Sequence, residues 1–200
     1  MAASTVVLGP ANGLSRELAN RLDAVVEERG RPLPSGVTGA VVIVGADPPE
    51  PSDVATLSGQ AWDRIVDEMM WDALSALQRA RSAFGGEGGR IVVVMPTIGM
   101  AGAAGLVAYT TALEGIRAMA KSAARQWASQ CVGVNIVAVP LSMFSDDLAS
   151  AADHLTVAAV AADSTLIHTV AGSVEFLLRP DMTHLAGETI VADGGSVMLP

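Results

Sequence analysis

Cysteine is nearly absent: Cys131 stands alone among 200 residues. A single thiol excludes an internal disulfide framework and any metal site built from several cysteines, and it suits a reducing, cytoplasmic setting. Basic residues are also scarce, 12 against 21 acidic ones, for a net charge of −9. That field repels phosphate backbones and anionic lipid, so neither nucleic acid nor a membrane is an expected partner. Charged residues make up only 16% of the chain and hydrophobic ones 50%. A chain so apolar can bury a sizeable core, which excludes disorder. The three histidines, His154, His168 and His184, lack ligand spacing, so no metal site is expected. The N-terminus has no basic leader and reaches Gly9 too soon for a signal peptide. An uncharged stretch from Ile91 to Leu113 is broken by Pro96, Gly99, Gly102 and Gly105. It suits a strand, a loop and a helix start better than a membrane span.

What is present alternates. Short β-branched runs at 5–9, 39–45, 90–95, 133–139 and 188–192 are separated by longer stretches of helical spacing. The spacing predicts helices over 14–29, 62–84, 107–129 and 169–178. In the first, Leu14, Leu18, Leu22 and Val25/Val26 share one face. Strands alternating with helices predict an α/β fold: one domain over 1–200, with a Rossmann-like, doubly wound parallel sheet. Ligands of such sheets sit beyond the carboxyl ends of the strands. Cys131 is expected to be a small buried hydrophobe.

Between the first strand and helix lies Gly9-Pro-Ala-Asn-Gly13-Leu-Ser15. Glycines there permit a tight turn and close approach of a pyrophosphate to a helix N-terminus. At this point the chain resembles the short-chain dehydrogenase/reductase superfamily. The turn is similar to that family's Gly-x-x-x-Gly-x-Gly loop, with Ser15 in place of the third glycine. Trp62-Asp-Arg-Ile-Val-Asp resembles the opening of its long interface helix. Gly89-Arg-Ile-Val-Val-Val resembles the strand before its catalytic serine. Tyr109-Thr-Thr-Ala-Leu113 stands where its Tyr-x-x-x-Lys helix begins. Gly133-Val-Asn-Ile-Val-Ala-Val-Pro140 and Leu185-Ala-Gly-Glu-Thr-Ile-Val-Ala-Asp-Gly-Gly195 match the last two strands. The resemblance implies NAD(P)(H) chemistry, with Gly9, Gly13 and Ser15 as cofactor-binding positions and Tyr109 as the catalytic remnant.

The departures from the family pattern carry the functional expectation. The resemblance implies a catalytic asparagine, serine, tyrosine and lysine. Met69 stands at the asparagine position, Pro96 at the serine position with Thr97 beside it, and Leu113 at the lysine position. A tyrosine titrates near about pH 10 and needs help to exchange protons at neutral pH. A lysine four residues on would lie on the same helix face and favour the phenolate. Leu113 carries no charge, and Arg117 and Lys121 lie roughly 12 and 18 Å along the axis. The span from Gly13 to Val41 is too short for the family's second and third strands, so both are expected to be missing. Pro10 removes a backbone N–H from the phosphate turn. Asp47 and Glu50 follow the third apolar run, where a diphosphate would meet like charge.

These residues point to a catalytically degenerate subunit, inactive alone and with no cofactor of its own. Its expected role is that of a structural partner to an active family member in a hetero-oligomer. NAD(P)(H) then belongs to the family at large or to the partner subunit. Assembly is expected through helices 62–84 and 107–129, whose apolar faces are wider than one sheet contact requires. Two other readings stay open. One is an active NAD(P)-dependent alcohol/ketone oxidoreductase using Tyr109. The other is a non-catalytic small-ligand module using a cleft lined by Met69, Met95, Met100 and Met143.

Overall fold

The computed structural model describes residues 4–27, 30–34, 36–144 and 157–198. His154 lies outside them. Six parallel strands form one sheet: β1 (Ser4–Leu8), β2 (Val25–Glu27), β3 (Val37–Ile43), β4 (Gly89–Pro96), β5 (Val132–Val139) and β6 (Thr189–Val191). Their order is β2-β1-β3-β4-β5-β6. The helices are α1 (Gly13–Arg21), α2 (Gly59–Ala83), α3 (Ile98–Ala101), α4 (Val107–Trp127) and α5 (Leu166–Leu178).

The central strands are β-branched on both faces, as a sheet covered on both sides requires. Alternate residues point opposite ways. Leu8, Val42, Val93 and Ile136 therefore enter the layer under α2 and α4. Val7, Val41, Val92 and Val137 enter the layer under α1 and α5. This is the doubly wound arrangement that the alternating pattern predicts.

One boundary differs. The helical spacing of Leu14, Leu18 and Leu22 continues into Val25/Val26, but α1 stops at Arg21. Asp23 adopts a left-handed φ of 48°, which ends the helix. Val25 and Val26 then pair with Val6 and Val7 as a short edge strand, where β-branched residues pack well. Among the described residues the sheet thus has six strands rather than the five read from the sequence. It is short of the family's seven by one, not two.

Two polar clamps fix the sheet's margins. The Arg90 guanidinium is buried and donates to the carbonyls of Gly89, Cys131 and Pro180 at 3.0, 2.9 and 2.7 Å. The Asn135 amide, inside β5, donates to the Leu185 carbonyl and accepts from the Glu188 N–H, both at 3.0 Å. Cys131 is exposed, contrary to expectation. It closes a turn with a left-handed φ of 60°, and its carbonyl rather than its thiol is engaged, by Arg90 and by the Gly89 N–H.

Candidate functional site

The carboxyl ends of β1, β3, β4 and β5 gather the residues singled out in the sequence. The turn after β1 comes first. Gly9 lies against the end of β3, where a Cβ would come within 3.0 Å of Ile43 Cβ and 3.2 Å of its carbonyl oxygen. Only glycine allows that approach. Asn12 caps α1 by accepting from the Ser15 N–H at 2.9 Å, and Ser15 Oγ accepts from the Asn12 N–H at 2.9 Å. The Ser15 hydroxyl, fully buried, donates to the Pro10 carbonyl at 2.7 Å. Serine in the third glycine position therefore ties the turn to itself. Two of the turn's N–H groups serve this cap, and Pro10 has none to offer. Gly13 is the first residue of α1, with open space on its Cβ side.

Tyr109 lies in the first turn of α4 and is 0% exposed. Its hydroxyl donates to the Gly45 carbonyl at 2.6 Å. Gly45 follows β3 with a φ of 74°. A Cβ there would lie 2.9 Å from Leu113 Cδ2 and 3.0 Å from both Pro96 Cδ and Tyr109 Oη. The structure thus brings Tyr109, Leu113 and Pro96 to one point and fills it. Burial pushes the phenol well above its ordinary value, and the nearby carboxylate of Asp47 adds to the effect. The group is held protonated. Leu113 also packs against the backbone of Gly99 in α3, so its side chain occupies the interior. Arg117 is engaged with Glu114 one turn back, with Nε 2.8 Å from Oε2. Lys121 packs its stem on Gly187. Neither turns toward the phenol.

Thr97 is buried beyond β4 and its N–H donates to the Val139 carbonyl at 2.8 Å. The four methionines of the anticipated cleft do not assemble. Met95 is buried and Met69 half-buried under α2 and α4, whereas Met143 packs across the sheet, against the α1 and α5 layer. The open space lies elsewhere. A cavity of about 590 Å³ runs from Leu8, Gly9 and Pro10 past Val44–Asp47 to the flank of α2. Among the described residues no group of histidine, cysteine and acidic side chains could hold a metal ion. No described helix is long and apolar enough to cross a membrane.

Sequence reasoning missed the partner of the phenol, the Gly45 carbonyl, because a backbone acceptor leaves no residue signature. It also missed Trp71, which stands 66% exposed on the cavity flank. A tryptophan between the charged Glu68 and Asp72 was the available signal.

Residues 17–197, beginning just past the glycine turn, match a family model described as enoyl-(acyl carrier protein) reductase. The chain belongs to the short-chain dehydrogenase/reductase superfamily. It is 28% identical over 148 residues to the 3-oxoacyl-[acyl-carrier-protein] reductase FabG of Staphylococcus aureus, covering 70% of this chain and 58% of that protein. To the FabG of Vibrio cholerae it is 34% identical over 116 residues, covering 56% of this chain and 47% of the relative. This superfamily member therefore spans about half the length of the curated relatives it matches. A short-chain dehydrogenase/reductase structure from Mycobacterium ulcerans superposes with a TM-score of 0.79 at 17% identity, over 98% of this chain and 90% of the other. A blue fluorescent protein from a metagenomic library, solved in complex with NADPH, superposes at 0.74 and 17% identity, over 98% of both chains. At that identity the likeness is one of fold.

Proposed function

We propose that this chain is a catalytically silent short-chain dehydrogenase/reductase subunit and serves as the structural partner of an active one in a hetero-oligomer. The observation that carries this reading is the hydrogen bond from Tyr109 to the Gly45 carbonyl, made in a space filled by Leu113 and Pro96. A general acid must reach its substrate and give up its proton near neutral pH. This phenol has its proton committed to the backbone, and Leu113, Pro96 and Gly45 rather than a cation surround its hydroxyl among the described residues.

The residues of the turn fit a dinucleotide poorly. Its diphosphate needs converging N–H donors. Here Pro10 supplies none, and the Asn12 and Ser15 N–H groups are taken by the cap. The adjoining cavity is lined by Asp47, Glu68 and Asp72 together with Arg64 and Arg79, a small excess of negative charge. No reaction step is therefore assigned to a cofactor in this chain. The named activity of its relatives, 3-oxoacyl-[acyl-carrier-protein] reduction, points to ketone reduction on an acyl carrier as the work of the active partner.

The assembly helices support partnership less broadly than their sequence suggests. α2 and α4 spend much of their apolar faces on each other and on the sheet, with Val66, Ala108 and Ala112 buried between them. Half-buried Met70, Leu74 and Met119 and exposed Trp71 remain for a second subunit.

The test has two arms. The isolated chain, titrated with NADPH, is expected to leave the nicotinamide fluorescence unchanged and to oxidise no NADPH with a 3-oxoacyl thioester. The tagged chain, expressed in its native host, is expected to copurify with an active member of the superfamily. Turnover by the isolated chain that disappears in Tyr109→Phe would overturn the reading.

A further inference from the structure

We draw no further inference here: the strongest candidate, the cavity between the carboxyl ends of β1 and β3 and the flank of α2, is lined by Arg64 and Arg79 as well as Asp47, Glu68 and Asp72, and nothing in the structure shows what occupies it.

Discussion

In the reading proposed above, Tyr109 keeps its family position without the surroundings that make such a tyrosine reactive. Met69, Pro96 and Leu113 are visible as residue types at fixed spacing, so the lack of a lysine four residues beyond Tyr109 is legible in the sequence. What replaced it is not. The acceptor, the Gly45 carbonyl, lies 64 positions away and is backbone. Cys131 makes the same point: its burial was expected from residue type, and a left-handed turn exposes it. Restoring the family residue should fail at this scale. Leu113→Lys places an ammonium where Leu113 is 0% exposed, against Gly45 and Gly99. The expected cost is about 2–4 kcal/mol of stability, read from the urea midpoint, with no gain of NADPH turnover.

Among elements, the buried strands were legible because they are short, β-branched and bounded by glycine. The edge strand β2 was not, since Val25 and Val26 also continue the helical face of Leu14, Leu18 and Leu22. The left-handed Asp23 decides between the two, and a backbone angle cannot be read from aspartate alone. The glycine turn is a second element whose chemistry changed with one residue. In Ser15→Ala the Asn12 N–H and the Pro10 carbonyl each lose the hydroxyl and keep only their direct bond of 2.8 Å. The expected loss is about 1 kcal/mol, seen as a lower unfolding midpoint, with α1 retained in circular dichroism.

For the whole molecule, the doubly wound sheet followed from alternation of strands and helices. The cavity beside α2 did not, because residues far apart in the chain, from Leu8 to Arg79, come together to line it. Contacts between distant residues, Leu113 and Pro96 around Gly45, also seal the phenol. Its pKa is raised in the folded chain, so folding favours the protonated form. Its contribution to stability is whole below the unfolded value of about 10 and is lost as pH rises beyond it. Tyr109 is the chain's one tyrosine, so tyrosinate absorbance reports it alone. The decisive measurement is a spectrophotometric titration of the folded protein into alkali, with circular dichroism followed in parallel and NADPH present or absent. No tyrosinate is expected at about pH 10, where a free phenol is half ionised; it should appear only as the fold is lost, whether or not NADPH is added. A midpoint at or below about pH 10 in the intact fold, or one lowered by NADPH, would contradict it.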